Sequence, residues 1–438
     1  MTIISIFVIF LLSILPCKIK SEITMKFKRQ YLLSEYDDLF QHGINFFVDY
    51  LIKNKYTTDI YMGEPPQKIS GYLNPSQSGF YLTNKFCPFK NVYNYQNSIN
   101  YKFIDRKVYG KNIIERFSDT LYFEYINKTN FKKTDYEFFS DVYLDNPICC
   151  ILGFKLLGIG ETVEDNLLYR LHRNKSIKSY YFTFDIDKNN IDELNYIFDI
   201  DIKNNEKGYT FIKSSSYIKD NRQYLVWGLD FDSFKLNNSI IHEKQFRAEF
   251  NINLGCIIAS SSFKEELDLI LGSILDKKEN YDNYYIYIFN INKYDKLKDF
   301  TLKFYHKLLD YNFILDYHDL FYEKNGLLYF LILFNSNEQD YWEFGIPFLK
   351  KYNFIYNQDN KLMGFIKENN GNTNNSNAKN DTKFSKSKII LIIVLVLICI
   401  IIVTLFFGYL IGKKIYKVRK NKTNELLELY DYNSKSDK

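Results

Sequence analysis

The feature that most constrains this chain is an uncharged apolar run near its C-terminus, from Ile389 to Gly412. The run holds almost nothing but Ile, Leu, Val and Phe, and a lysine stands at each edge. At ~1.5 Å per residue, a helix over this run is about 36 Å long, which is enough to cross a ~30 Å hydrocarbon core. A helix buried in a globular core is not apolar on every face over such a length. The sequence therefore predicts one transmembrane helix over 389–412.

The N-terminus carries a shorter apolar run, Ile3 to Pro16, followed by a polar stretch from Lys18 to Glu22. This order is typical of a secretory signal peptide, here 1–21, although the usual basic residue before the run is missing. A buried N-terminal helix is the alternative. Basic residues are in excess after the predicted membrane helix, which indicates that the tail, 413–438, is cytosolic. We therefore expect a single-pass type I membrane protein, at the cell surface or in a secretory or endomembrane compartment.

The body between these ends is larger than one hydrophobic core usually organises, so two lobes are expected. Short runs rich in Tyr, Phe and Ile alternate with polar turns, as in 180–186 and 284–291, and this pattern is typical of strands. Two windows, 162–173 and 262–275, have helical spacing instead. The stretch 367–388 is polar and rich in Asn, which predicts a flexible stalk. The body is therefore predicted to be mostly β, with a few short helices.

Several classes of function find no support in the composition or motifs. The net charge of +5 is mild and forms no dense basic stripe, which argues against nucleic acid as a partner. The sequence has no Gly-x-Ser-x-Gly elbow and no phosphate-binding loop. The histidines and cysteines show no metal-ligand spacing, and His318-Asp319 is one dipeptide without a third partner. We therefore expect neither a cofactor nor a metal.

Two sets of residues bear on a secretory location. The body holds Cys87, Cys149, Cys150 and Cys256, for which three disulfide pairings are open, and the adjacent pair is at least as well explained as small buried hydrophobes. The second set consists of the sequons that would be accessible to glycosylation in the secretory lumen, at Asn127, Asn174, Asn237, Asn374 and Asn380.

The stretch from Tyr56 to Leu82 carries a family resemblance: YTTDIYMGEPPQKISGYLNPSQSGFYL. It resembles the start of a pepsin-like aspartic protease, in which a strand, a Gly-x-Pro-x-Gln turn and a second apolar strand lead into an Asp-Thr-Gly loop. Residues 63–67 match the turn. The family's first catalytic aspartate then falls on Asn74, and Pro75 and Ser76 stand where the family has Thr and Gly.

Further matches follow in the family's order. In the first half they are the strand after the flap (Ser118 to Phe123), the apolar-apolar-Gly element (Ile151 to Phe154) and the strand after the first-lobe helix (177–184). In the second half they are the central strand pair (Tyr224 to Leu236), the closing signature (341–357) and the last strand (359–365). The resemblance implies a bilobal pepsin-like fold with lobes at 56–205 and 206–366. The segment 22–55 takes the place of a propeptide, and we expect it to stay on the body as a strand and a helix.

The second catalytic loop is placed by the same resemblance at Ala248 to Ile258, so that Asn251, or Asn253 after a small shift, takes the second aspartate position. No Asp occurs from 60 to 104 or from 233 to 267, so both catalytic aspartates are absent. Tyr109-Gly110 is the candidate flap pair, with Tyr101 as a competitor. Asn74 precedes Gly153 by 79 residues and Asn251 precedes Gly345 by 94, which indicates an internal duplication.

The lost aspartates decide what the resemblance implies for function. The family hydrolyses peptides with two carboxyl groups that share one proton, and an asparagine amide supplies neither the acid nor the base. We therefore expect a catalytically inactive, membrane-anchored member of the family whose cleft binds a polypeptide or protein partner. Two alternatives stay open: an active aspartic-type endopeptidase with a non-standard site, and a structural surface glycoprotein.

Overall fold

A computed structural model describes residues 22–30, 44–53, 55–74, 80–83, 93–109, 112–124, 131–141, 150–153, 166–187, 192–202, 208–219, 221–237, 239–242, 245–260, 263–281, 283–336, 341–367, 406 and 408–416. The chain divides into two compact units, Met1–Lys367 and Glu368–Lys438. Both predicted lobes belong to the first unit. The predicted signal peptide lies outside the described residues.

The second unit is described only at 406 and over a helix at 408–416. The predicted stalk, apart from Lys367, and the predicted membrane span up to 405 lie outside the described residues, as does most of the predicted tail. Within the described part of the chain, no helix has both the length and the apolar character needed to cross a membrane.

The first unit is mostly β, as predicted. In its first half, 22–202, the strands are β1 (Ile23–Gln30), β2 (Lys55–Met62), β3 (Gln67–Asn74), β4 (Phe80–Thr83), β5 (Lys102–Tyr109), β6 (Asn112–Glu124), β7 (Phe131–Asp141), β8 (Cys150–Gly153), β9 (Tyr181–Ile186) and β10 (Glu193–Phe198).

In the second half, 208–367, the strands are β11 (Tyr209–Lys213), β12 (Ser216–Lys219), β13 (Arg222–Leu225), β14 (Gly228–Phe231), β15 (Ser233–Leu236), β16 (Ser239–His242), β17 (Phe246–Phe250), β18 (Ile257–Ala259), β19 (Lys277–Tyr281), β20 (Tyr284–Asn290), β21 (Thr301–His306), β22 (Tyr311–Asp316), β23 (Phe321–Lys324), β24 (Leu327–Phe330), β25 (Ile332–Asn335), β26 (Tyr341–Phe344), β27 (Ile355–Asn357) and β28 (Leu362–Ile366).

The α-helices of this unit are few and short, again as predicted. They are α1 (Ile44–Lys53), α2 (Leu167–Arg173), α3 (Lys264–Leu271), α4 (Tyr294–Leu297), α5 (Tyr317–Leu320) and α6 (Ile346–Tyr352). Two of them, α2 and α3, lie in the windows with helical spacing. The start of α2 is fixed by Asn166, whose side-chain oxygen accepts a hydrogen bond from the backbone N–H of Leu168 at 3.0 Å.

The two halves repeat one order of strands. In the first half β3 pairs in parallel with β8, β8 pairs antiparallel with β4, and β4 pairs in parallel with β7. In the second half β17, β26, β18 and β25 pair in the same order and with the same directions. Asn74 stands opposite Gly153 in the first ladder. The second ladder ends at Phe250 and Phe344, directly before Asn251 and Gly345.

A row of antiparallel strands joins the halves, in the order β1, β10, β9, β27, β28, β11. Within this row, the halves meet where β9 pairs with β27. The N-terminal segment 22–55 is part of this body, because β1 lies between β10 and β2 and α1 packs against the second half. Phe47, Val48 and Leu51 of α1 share a buried cluster with Leu254 and Ile258.

Aromatic side chains fill the core of the second half, which uses the high phenylalanine content of the chain. Phe231 packs against Phe304 at 5.5 Å and against Phe344 at 5.7 Å between ring centroids. Trp342 is buried beside Phe263 at 5.3 Å. Rings at such distances in tilted or edge arrangements add about 0.5–1.5 kcal/mol per pair beyond area burial. This core supports β17 and β26, the strands that end directly before Asn251 and Gly345.

A buried histidine makes the stability of this core depend on pH. His306 is 4% exposed, and its Nδ1 accepts a hydrogen bond from the backbone N–H of Leu309 at 3.3 Å. Burial lowers the pKa of His306, and the nearby carboxylate of Asp232 opposes that effect. The unfolded chain, in which histidine titrates near pH ~6.5, therefore binds a proton more readily than the folded protein does. Stability must fall as the pH drops through that range.

We expect His306→Gln to reduce this pH dependence, with His318→Gln, at an exposed histidine, as the matched control. The measurement is the free energy of unfolding by urea at several values from about pH 8 to about pH 5. The wild type and the control should lose stability in parallel as the pH falls, whereas His306→Gln should lose less. Equal slopes for all three proteins would contradict this role of His306.

Candidate functional site

The candidate site consists of the end of β3 and the loop that follows β17; the residues after β3, 75–79, lie outside the described part of the chain. Asn74 is the last residue of β3 and Asn251 follows the last residue of β17, and both side chains are partly exposed. Each asparagine lies beside a glycine of the neighbouring strand or just after it. Gly153 is the last residue of β8, and Gly345 directly follows β26. The structure thus places both predicted positions at equivalent points of the repeated strand order.

The amide of Asn251 is engaged on both sides. Its Nδ2 donates to Oε2 of Glu343 at 3.1 Å, and its Oδ1 accepts the backbone N–H of Asn253 at 3.2 Å. The backbone N–H of Asn251 donates to the carbonyl of Phe344 at 3.0 Å, and its carbonyl accepts the N–H of Leu254 at 3.1 Å. An aspartate at this position could not donate to Glu343 unless it carried a proton. The amide therefore holds the loop in place.

Asn253 connects the second loop to the first half of the unit. Its Nδ2 donates to the carbonyl of Leu73 at 2.9 Å, and its Oδ1 accepts the backbone N–H of Tyr56 at 3.5 Å. Leu73 directly precedes Asn74, so this amide links the second loop to the end of β3. Sequence reasoning found Asn253 only as a second choice for a lost aspartate, and the structure gives it the role of a bridge.

Glycine allows close backbone packing behind the second loop. A Cβ on Gly345 would lie 2.2 Å from the carbonyl oxygen of Cys256 and 2.3 Å from that of Leu254. A Cβ on Gly255 would lie 2.7 Å from Nη2 of Arg29. A larger residue at 345 would require backbone of the second loop to shift, whereas one at 255 would require the Arg29 side chain to move.

Arg29 is a buried cation beneath this loop. It is 5% exposed, its Nη2 donates to the carbonyl of Tyr50 at 3.1 Å, and its guanidinium lies 4.5 Å from the centroid of the Tyr50 ring. Within the described residues, its Nε and Nη1 have no hydrogen-bond partner. In the sequence, Arg29 lies in the segment 22–55 that takes the place of a propeptide, and no role was predicted for it. The structure instead places it in the support of the second loop.

Partly exposed polar side chains cover one face of β17 and β26, while the alternate residues are buried in the core. We call this set the polar face; it consists of Arg247, Glu249, Asn251, Tyr341 and Glu343. Arg247 Nε lies 2.9 Å from Oε1 of Glu249, and the two side chains are 21% and 24% exposed. Glu249 and Glu343 stand opposite each other in the parallel register.

Burial is the largest cause of the pKa shifts on the polar face, and its charged groups modify them. Burial raises the pKa of Glu249, Glu343 raises it further, and Arg247 opposes both. Burial, together with Glu343 and then Glu249, raises the pKa of Tyr341 to about 12. The guanidinium of Arg247 lies 4.2 Å from the centroid of the Tyr217 ring and 5.0 Å from that of Tyr341. One cation thus stands among two carboxylates and two tyrosines.

Sequence reasoning missed the polar face. The available signal was the alternation of charged with apolar residues in 246–251 and 341–344, which in a two-sided sheet marks one face as open to solvent. That alternation does not show which strand lies beside which, so the pairing of Glu249 with Glu343 had no sequence signal of its own.

The turn at 63–67 is held by a buried carboxylate in β6. Gly63 has φ +88°, and the N–H of Glu64 donates to Oγ of Ser98 at 2.9 Å. Ser98 Oγ in turn donates to Asp119 at 2.9 Å, and Asp119 also accepts from the hydroxyl of Tyr93. Asp119 is 2% exposed. These bonds make Asp119 a structural support of the turn that leads into β3.

Other predicted residues are placed only in part. Tyr109 ends β5, while Gly110 and Ser76 lie outside the described residues, as do three of the sequons, at Asn127, Asn374 and Asn380. Asn174 and Asn237 are exposed. Asn237 has φ +52°, and its Oδ1 accepts the backbone N–H of Thr301 at 2.9 Å.

Cys256 is a free, fully buried cysteine in the second loop. Burial raises the pKa of its thiol, with Arg29 opposing. Because the thiolate is the reactive form, we expect Cys256 to resist iodoacetamide in the folded protein and to react once the chain unfolds. Mass spectrometry of the alkylated peptide measures this. Rapid labelling of Cys256 under native conditions would contradict the buried position of this thiol.

Comparison with known proteins adds no assignment: no family model matches the chain, and no curated protein shows significant similarity to it. The function has to be argued from the site.

Proposed function

We propose that the first unit has a bilobal pepsin-like fold without the catalytic carboxyl groups, and that its cleft binds a polypeptide. Two observations support the fold. The halves repeat one order of parallel and antiparallel strands, and each repeat ends at an asparagine beside a glycine. The stretches that resemble the family occur in the family's order along 56–366. We propose with it the membrane anchor at 389–412 and the type I orientation.

The hydrogen bonds of the second loop carry the proposal of inactivity. Asn251 donates to Glu343, and Asn253 donates to the carbonyl of Leu73. Each bond requires an amide donor, and one of these two amides takes the position of the second catalytic aspartate; an amide neither accepts nor releases a proton near neutral pH. Loss of general acid and base catalysis costs about 10²- to 10⁴-fold for each group. The amides of the second loop therefore form hydrogen bonds that carboxylates could not form.

Binding does not depend on the lost groups. An extended polypeptide is recognised through backbone hydrogen bonds and side-chain pockets on a β surface. The polar face offers such a surface beside Asn251, with tyrosine rings, an arginine and two carboxylates that are all partly exposed. A purely structural protein has no need of half-buried charges at this point of the fold, because they reduce stability unless they are paired.

The experiment is peptide capture by the purified full-length chain in detergent, with a heat-denatured sample as the control. A mixed peptide library is passed over the immobilised protein, and the retained peptides are identified by mass spectrometry. The proposal predicts a reproducible subset of intact peptides that the denatured sample does not retain. Equal retention by both samples would favour a structural protein. Cleaved peptides would favour the endopeptidase.

A further inference from the structure

The two glutamates of the polar face, Glu249 and Glu343, have different partners. Glu343 lies on β26, between β17 and β18, and its Oε2 accepts a hydrogen bond from Asn251. Glu249, its neighbour across the ladder, is paired with Arg247. Within the described residues, no lysine, arginine or histidine nitrogen forms a salt bridge with Glu343. One carboxylate of the polar face is therefore held in place without a cation.

The surroundings of Glu343 suit a cation from outside the chain. Tyr341 precedes it by two residues on the same strand and so lies on the same face. That ring, with Tyr217, already packs against the guanidinium of Arg247. Aromatic faces attract guanidinium and ammonium groups, and a fixed carboxylate adds a charge-assisted hydrogen bond.

The charged residues of β14, β17 and β26 are negative in sum. Glu249 and Glu343 face each other across the ladder, and Arg247 supplies one positive charge. Asp230, opposite Arg247 on β14, adds another carboxylate, which accepts a hydrogen bond from Ser215 at 2.6 Å. An acidic ligand group would be repelled here, whereas a basic one would be attracted.

We propose that Glu343 is a specificity-determining residue that selects a lysine or arginine side chain of the polypeptide bound in the cleft. The inference rests on the proposed function and names the ligand class for it. The basic side chain would reach over Tyr341, pair with the carboxylate oxygen of Glu343 that Asn251 leaves open, and complete the charge balance of the polar face.

The test uses a synthetic library of uncharged host peptides in which one central position is Lys, Arg, Gln or Glu. Binding to the full-length chain is compared for the wild type, Glu343→Gln and Glu323→Gln, the last at an exposed glutamate away from the polar face. The wild type and the Glu323→Gln control should bind the basic peptides about tenfold more tightly than the Gln peptide. Glu343→Gln should lose that preference and bind the Gln peptide as the wild type does.

The unfolding midpoint of each variant shows whether that variant is folded. If Glu343→Gln does not fold, the peptide series on the wild type still tests whether the protein prefers Lys or Arg. Peptide binding by the wild type without a preference for Lys or Arg overturns the role of Glu343 and leaves the proposed function standing. The same preference in wild type and Glu343→Gln also overturns it. No binding of any peptide by the wild type overturns the proposed function, and this inference with it.

Discussion

Replacing Gly345 with alanine is expected to lower the free energy of unfolding by about 3 kcal/mol, or to prevent folding altogether. The added Cβ would lie 2.2 Å from the carbonyl oxygen of Cys256 and 2.3 Å from that of Leu254. Both contacts are with backbone of the second loop, which cannot swing aside as a flexible side chain does. Relief requires β26 to move away from the loop and so breaks the repeated strand order at the candidate site.

The matched control is Gly208→Ala, because a Cβ at Gly208 meets nothing within 4 Å. That change should alter stability by no more than about 0.5 kcal/mol. Urea unfolding, followed by tryptophan fluorescence, measures both variants, since Trp342 is buried three residues before Gly345. Equal stability of the two variants would show that β26 and the second loop are not packed as described.

Asn253→Asp is expected to destabilise the protein by about 2 kcal/mol at neutral pH, because the side chain changes its charge and loses its donor without changing its shape. The carbonyl of Leu73 would lose the N–H that now lies 2.9 Å away and would face a carboxylate. The halves would then lose a bond that joins the second loop to β3.

This variant also carries a pH signature with a definite sign. Repulsion from the Leu73 carbonyl and partial burial raise the folded-state pKa of the introduced carboxyl group above its unfolded value of ~3.9. The folded state then binds the proton more tightly than the unfolded state does. The loss of unfolding free energy relative to wild type is therefore small at acidic pH and grows as the pH rises.

Asn97→Asp, at an exposed asparagine, is the control and should show no such trend. Unfolding curves of the wild type, Asn253→Asp and Asn97→Asp across acidic and neutral pH measure the effect. A deficit that does not depend on pH would contradict the hydrogen bond between Asn253 and Leu73.

Local sequence patterns predicted several of the strands and helices of the fold. Alternating apolar residues predicted the strands at 181–186 and 284–290, and helical spacing predicted α2 and α3. The turn at 63–67 was implied by the family resemblance, and Gly63 in it does adopt a positive φ. These signals are local, because each depends on the conformation of a few neighbouring residues.

Long-range partners had no comparable signal. Asn251 and Glu343 are 92 residues apart, and Asn253 and Leu73 are 180 residues apart. The choice of these partners depends on which strands pair in three dimensions, and alternation within a strand does not encode it. The same holds for Arg29, whose burial depends on the packing of α1 and the second loop over β1.

The absence of catalysis is the central claim, and peptide cleavage tests it most directly. The purified full-length chain is incubated with a mixed peptide library from acidic to neutral pH, with and without a pepstatin-type inhibitor. Pepsin, treated in the same way, shows that cleavage would be detected. We predict no inhibitor-sensitive cleavage by this protein at any pH, because the loops at Asn74 and Asn251 carry no carboxyl pair. Cleavage that the inhibitor abolishes would contradict the account.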